Sequence, residues 1–279
     1  MRINVVMSGG GTRLPAYVGA LRALRELGAE VVRVTGASGG SIVAAFVAAG
    51  LTTEQCQDLA VDTDYRQFID VSPTAMVMGH GLCAGRRFER WMDEHLRGAR
   101  FRDLPLPLQV VATDILTYRP VIFSPSATPD ARVAEAVRAS MGIPGYFACH
   151  RWQGKLLVDG ALCPEALWDL YDGVDDAHTT YVLLSTTRAP QVAPNGKALW
   201  VWQYASRLLQ TLMVALEQAR VPMNRWSETT LINTGTLSGV DFHMTRAQKL
   251  ELVEQGYHQI KRHLTAKSQV FARAPLQAG

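Results

Sequence analysis

Cysteine is scarce in this chain. Among 279 residues there are four, Cys56, Cys83, Cys149 and Cys163, and no Cys-x-x-Cys pair. Such spacing suits neither a zinc site nor a disulfide framework, and it points to a reducing compartment. Charge of one sign is also scarce. The formal net charge is +3, and the basic residues are scattered, so nucleic acid is not an expected partner. No apolar run reaches about 18 residues, which argues against a membrane-spanning helix. The opening stretch Met1 to Met7 runs straight into glycines and is too short for a signal-peptide core. Repeats, low-complexity tracts and linkers are missing, so residues 1–279 read as one domain. Hydrophobic residues make up 48% and charged residues 19% of the chain, enough apolar material for a large core.

What stands out instead is Thr35-Gly36-Ala37-Ser38-Gly39-Gly40-Ser41. The β-branched run Val31-Val32-Arg33-Val34 precedes it and reads as a buried strand. The alanine-rich segment Ser41 to Ala49 comes after it and reads as a helix stopped by Gly50. Ser38 therefore sits between strand and helix in a Gly-x-Ser-x-Gly frame, the setting of a nucleophile elbow. Flanking glycines are expected where a Cβ would clash or the backbone needs positive φ. The helix N-terminus behind the hydroxyl favours developing negative charge. The competing reading is an ordinary Gly/Ser turn before a helix.

Taken in order, Ile3 to Met7 is a strand, Gly9-Gly10-Gly11-Thr12-Arg13 a glycine loop, and Pro15 to Leu27 a helix with proline in its first turn. With the elbow strand and helix this makes a βαβα pattern, hence a mainly parallel sheet covered by helices. Further helices are expected at Thr52 to Ala60, Gly85 to Leu96, Asp130 to Ala139, Ala198 to Arg220 and Thr245 to Leu264. Strands are expected at Leu108 to Thr113, Arg119 to Phe123, Lys155 to Val158, Tyr181 to Ser185 and Leu231 to Asn233. Tyr65 to Ala84 has no clean period and reads as a loop; Met76, Met78 and Leu82 make it a candidate lid.

Two strand ends thus deliver a hydroxyl and a loop of backbone N–H groups to one edge of the sheet. A dinucleotide fingerprint fails because Leu14 stands where its third glycine belongs, and no Gly-Lys-Ser/Thr of a phosphate-binding loop occurs. Asp159 closes a strand before Gly160. Such an aspartate is often only a turn former, but the preceding Ser140 to Pro144 segment has the composition of a pocket wall. None of the seven histidines (His80, His95, His150, His178, His243, His258, His263) has a signature loop of its own. Only one strand precedes the elbow strand, which counts against an α/β-hydrolase.

Four motifs in order, Gly9-Gly10-Gly11-Thr12-Arg13, Gly36-Ala37-Ser38-Gly39-Gly40, Ala139-Ser140-Met141-Gly142-Ile143-Pro144-Gly145 and Val158-Asp159-Gly160-Ala161, resemble those of patatin-like phospholipases. The likeness covers about the first 190 residues, and Phe242-His243-Met244 before the last helix resembles the family's end. The resemblance implies a three-layer α/β/α sandwich with a mainly parallel sheet. It implies lipid acyl hydrolysis by a Ser38–Asp159 dyad without a histidine base. Gly9, Gly10 and Gly11 become the oxyanion loop with Arg13 supporting it, while Gly36, Gly39, Gly40, Gly160 and Ala161 complete the motifs. Leu14 replaces a glycine usual in the family's loop. No metal or cofactor is implied.

The implied substrate is a membrane phospholipid or lysophospholipid, met by transient surface contact from the cytoplasmic side or after delivery to a target cell. No regulatory protein partner is identified. Trp200, Trp202, Tyr204, Leu208, Leu209, Leu212 and Met213 are either an interfacial face or, with more weight, core. An acyltransferase using the same serine and a catalytically idle acyl-lipid-binding protein are the alternative functions.

Overall fold

The computed structural model describes residues 1–78, 81–168, 176–186 and 221–273, with isolated positions between 170 and 215. Its centre is β1 (Arg2–Ser8), in which Ile3, Val5, Val6 and Met7 are all fully buried. A strand apolar on both faces belongs in the middle of a covered parallel sheet. β1 pairs in parallel with β2 (Glu30–Ala37) on one side and β9 (His178–Ser185) on the other, and β10 (Thr229–Asn233) adds to β9 in parallel. β4 (Leu108–Asp114) extends the sheet beyond β2, also in parallel. Antiparallel strands finish that side: β5 (Arg119–Phe123) and β8 (Lys155–Asp159) against β4, and β7 (His150–Trp152) against β8.

The register on β4 brings Ser38 and Asp159 together. β2 pairs with β4 up to Ala37 opposite Val111. β8 pairs with β4 from Asp159 opposite Ala112. β5 runs past both stretches on the other edge of β4. So β2 and β8 share one edge of β4 and meet end to end on it. One strand arrives parallel and the other antiparallel, and both stop at the same place. Ser38 is the residue just after the end of β2, and Asp159 is the last residue of β8.

Helices cover one face of the sheet: α1 (Pro15–Glu26), α2 (Gly39–Ala48), α3 (Thr53–Asp62), α5 (Arg86–His95) and α6 (Val133–Ser140) all contribute to the main core, as does the long C-terminal helix α7 (Arg246–Arg273) through Leu252 and Ile260. α1 and α7 approach so closely that a Cβ on Gly19 would lie 1.8 Å from the Val253 carbonyl oxygen. On the opposite face Leu167, Trp168 and Tyr171 cover Val6, Ala37, Val111, Tyr181 and Leu183. The helix expected over Ala198 to Arg220, with its candidate interfacial face, lies outside the described residues apart from a few positions; Tyr204 and Leu208 among these are exposed.

The expected strands and remaining helices are present with ends shifted by a few residues, except that the last helix, expected to end at Leu264, continues to Arg273. The helix expected from Asp130 begins at Val133, because Arg132 is still extended (φ −71°, ψ 134°). Tyr65 to Ala84 is not a loop. It folds as a 3-10 turn (Tyr65–Phe68), helix α4 (Pro73–Met78) and strand β3 (Gly81–Cys83), which pairs in parallel with β6 (Gly145–Phe147). These elements are too short for periodicity to reveal. They are held by long-range burial of Tyr65, Phe68 and Cys83 and by Asp70, whose carboxylate accepts from the Gly85 and Arg86 N–H groups at the start of α5 (2.8 and 2.9 Å).

Candidate active site

Ser38 carries the backbone strain of the elbow itself, at φ 54° and ψ −134°. A non-glycine residue at positive φ is uncommon and costs roughly 1–3 kcal/mol. Its neighbours are glycine because of contact. A Cβ on Gly36 would fall 2.3 Å from the Ser41 Cα, one on Gly39 2.4 Å from the Gly11 carbonyl oxygen, and one on Gly40 2.3 Å from the Met7 carbonyl oxygen. The elbow is thus pressed against β1 and the glycine loop. Of the two reasons expected for the flanking glycines, close approach applies to all three of these; the positive φ belongs to the serine.

The Ser38 hydroxyl donates to Asp159 Oδ2 at 2.7 Å. The other carboxylate oxygen, Oδ1, accepts from the Ala161 N–H at 2.8 Å. The Asp159 backbone is fixed too: its N–H reaches the Gly142 carbonyl (3.0 Å), and its carbonyl accepts from the Thr113 hydroxyl (2.9 Å). A Cβ on Gly160 would lie 1.9 Å from the Val111 carbonyl oxygen, so the Asp-Gly-Ala turn closes tightly over β4. Ser38 is 2% and Asp159 0% exposed.

Ser140 has a part in the site that the sequence did not reveal. Its buried hydroxyl donates to the Val111 carbonyl (2.6 Å) and accepts the Ser38 N–H (3.0 Å). It ties the elbow to β4 at the point where β2 and β8 meet. The signals in the sequence were its place in the Ala139 to Gly145 motif and a lone serine in an apolar, small-residue segment, neither of which names its partners.

The glycine loop stands beside the elbow. Gly9, Gly10 and Gly11 have φ of 80°, 93° and 52°, values that favour residues without a Cβ. The Gly9 N–H donates to the Ala37 carbonyl (3.2 Å). Tyr17 holds the loop from below through the Ser8 carbonyl (2.6 Å). Arg13, 3% exposed, donates from Nε to the Gly10 carbonyl (3.2 Å) and from Nη1 to the Thr234 hydroxyl (2.9 Å). The Thr12 N–H donates to the Gly239 carbonyl (2.8 Å). Sequence reasoning had no means of finding Thr234 or Gly239, more than two hundred residues from the loop. Leu14 is helical (φ −50°, ψ −25°), so its position needs no glycine.

From Ser38 a narrow apolar cavity, part of it open to solvent, runs into the helical layer. α2 lines it with Gly39, Ile42, Val43 and Phe46, α3 with Cys56, Leu59 and Ala60, and α5 with Phe88 and Trp91. Leu14, Ile143 and Phe242 close the side near the serine. Burial pushes the Cys56 thiol up to about 12, so it stays neutral. The Tyr65 hydroxyl is spent on the Ala60 carbonyl. The wall is therefore apolar even where polar residue types occur. Among the described residues no histidine lines the cavity, and no group of three His, Cys, Asp or Glu side chains could hold a metal.

A family model described as patatin-like phospholipase matches residues 5–167. The chain is 28% identical to the uncharacterized protein YqhO of Bacillus subtilis, over 92% of this chain and 96% of that protein. It is 31% identical to an uncharacterized NTE family protein of Mycobacterium tuberculosis, over 72% of this chain but about half (54%) of that protein. Among solved structures it is similar to VipD from Legionella pneumophila, with a TM-score of 0.68 at 18% identity, covering 95% of this chain and 67% of that one. At that identity the likeness speaks for the fold.

Proposed function

Since the chain belongs to the patatin-like phospholipase family, we propose that it is a serine lipid acyl hydrolase in which Ser38 is the nucleophile and Asp159 its base. The observation that carries this reading is the 2.7 Å contact from Ser38 Oγ to Asp159 Oδ2, with Oδ1 held by the Ala161 N–H. The carboxylate is oriented through Oδ1, and Oδ2 faces the Ser38 hydroxyl whose proton it takes. As Oγ attacks the acyl carbonyl its proton passes to Asp159, and the departing alcohol takes that proton back. Water, deprotonated by the same carboxylate, then releases the fatty acid from the acyl-enzyme.

The oxyanion needs donors in place beforehand, each worth about 3–4 kcal/mol. The N–H groups of Gly10 and Gly11 take this role. Gly9, expected as a third donor, instead ties the loop to β2 through the Ala37 carbonyl. Arg13 supports the loop from behind by holding the Gly10 carbonyl. Residues beyond the matched family segment complete the site through Gly239 and Phe242, which supports treating residues 1–279 as one catalytic domain.

The apolar cavity suits a fatty acyl chain, so phospholipids and lysophospholipids are the proposed substrates. The segment that supplies Tyr65 and Phe68 to the cavity also exposes Val71, Met76 and Leu82 (64%, 43% and 43%), as transient contact with a membrane surface requires. No helix among the described residues is long and apolar enough to cross a membrane. The test is fatty acid release from a phospholipid panel by the wild type and by Ser38→Ala. Release lost with Ser38→Ala, the protein still folded, is the expected result. Undiminished release would remove Ser38 from the mechanism. Transfer to an added alcohol in preference to water would move the protein to the acyltransferases.

A further inference from the structure

The cavity beside Ser38 has a direction. On α2 it is lined by Gly39, Ile42, Val43 and Phe46, the spacing of a single stripe down one helix face. It therefore runs along α2, starting at the nucleophile. Eight residues from Ser38 to Phe46 at about 1.5 Å each give roughly 12 Å. An extended alkyl chain advances about 1.25 Å per methylene, from a C–C bond near 1.5 Å. The tunnel thus holds about nine or ten carbons.

Its far end is an aromatic stack. Phe46 meets Trp91 edge-on with centroids 5.6 Å apart, and Trp91 lies 4.7 Å from the His95 ring. Beyond this end lies a second cavity, a surface groove to which Leu51, Gln55, Asp58, His95 and Arg97 contribute. One side chain, half-buried Leu59, lines both the tunnel and the groove.

We propose that Leu59 is the gate that sets acyl-chain length at this site. With Leu59 in place the tunnel is a closed slot for chains of up to about ten carbons. A longer tail has to turn the Leu59 side chain aside and lie in the groove behind it. The aromatic stack does not yield as easily. The Trp91 carbonyl is bound to His95 Nδ1 (2.8 Å), and the rings pack on Phe68 and Phe88 as well. Leucine on the outer wall is the compliant member. This inference rests on the Ser38 hydrolase reading and adds to it the class of acyl chain.

The test measures second-order labelling rates with butyl, octyl, dodecyl and hexadecyl fluorophosphonates on the wild type, Leu59→Ala and Leu59→Trp. The butyl probe is too short to fill the tunnel, so each protein's butyl rate is the reference for its own longer probes, and its Tm reports an intact fold. Leu59→Ala is expected to raise the hexadecyl-to-octyl rate ratio by about tenfold or more, the scale of one misfitting methylene in an apolar pocket. Leu59→Trp is expected to lower it. If either variant fails to fold, Leu59→Val and Leu59→Phe give the same comparison. A hexadecyl-to-octyl ratio that stays constant across the folded variants would overturn the gate and leave the hydrolase reading standing. No labelling of the wild type at any length would overturn both.

Discussion

Replacing Ser140 by alanine removes one hydroxyl and orphans two backbone groups. The hydroxyl is fully buried, donates to the Val111 carbonyl at 2.6 Å and accepts the Ser38 N–H at 3.0 Å. Leaving a buried donor or acceptor unsatisfied costs about 1–3 kcal/mol per group. The Ser140→Ala variant is therefore expected to be about 2–4 kcal/mol less stable, near the upper end of what single substitutions do. Activity should fall as well. The Ser38 N–H bond is one restraint on a residue held at φ 54°, and without it the hydroxyl is no longer fixed against Asp159. Because substrate binding along the tunnel is untouched, kcat should drop while KM stays nearly constant. Urea unfolding supplies the stability change, with an unchanged m-value as the check on two-state behaviour. Steady-state hydrolysis of a short chromogenic ester supplies kcat and KM. A loss of less than about 0.5 kcal/mol, the range of an ordinary surface change, together with unaltered kcat, would refute the role given to Ser140.

The same reasoning extends to the glycines and the histidines. Gly40→Ala places a Cβ 2.3 Å from the Met7 carbonyl oxygen, so it should damage folding itself, read as a lowered Tm or loss of soluble protein; a stable, active variant would mean the elbow is not pressed on β1 as described. Single histidine-to-asparagine changes at all seven positions should leave acylation within a few-fold of wild type, since no histidine among the described residues lines the cavity. The pH profile should then lack a limb near about pH 6–7, where an unperturbed imidazole titrates, and a histidine variant that stays folded but loses acylation by about 10²–10⁴-fold would identify a missed base.

The elbow and glycine loop were legible because their requirements are local. Gly36, Gly39 and Gly40 are demanded within a few residues of Ser38, and the strand and helix around them announce themselves by composition. Asp159 was legible as a strand end, but its pairing with Ser38 was implied only by the family resemblance and not by the residues themselves. That pairing depends on β2 and β8 sharing one edge of β4, one parallel and one antiparallel, and no pattern within either strand encodes the partner. The roles of Ser140, Thr234 and Gly239 were missed for the same reason: each acts through long-range hydrogen bonds. Leu14 shows the converse. Its departure from the family's glycine is harmless to the loop because the position is helical, and the side chain became a cavity wall. Tyr65 to Ala84 was misread because a six-residue helix and a three-residue strand are too short to leave a period.

The measurement that tests the dyad most directly is single-turnover acylation by a chromogenic ester, with the adduct located by peptide mass, in the wild type and in Asp159→Asn. Asparagine keeps the shape of the side chain and cannot accept the proton. The wild type is expected to carry the acyl group on Ser38, and the Asp159→Asn variant to acylate about 10²–10⁴-fold more slowly while remaining folded. Acylation of Asp159→Asn within tenfold of wild type, or an adduct on any residue other than Ser38, would contradict the dyad.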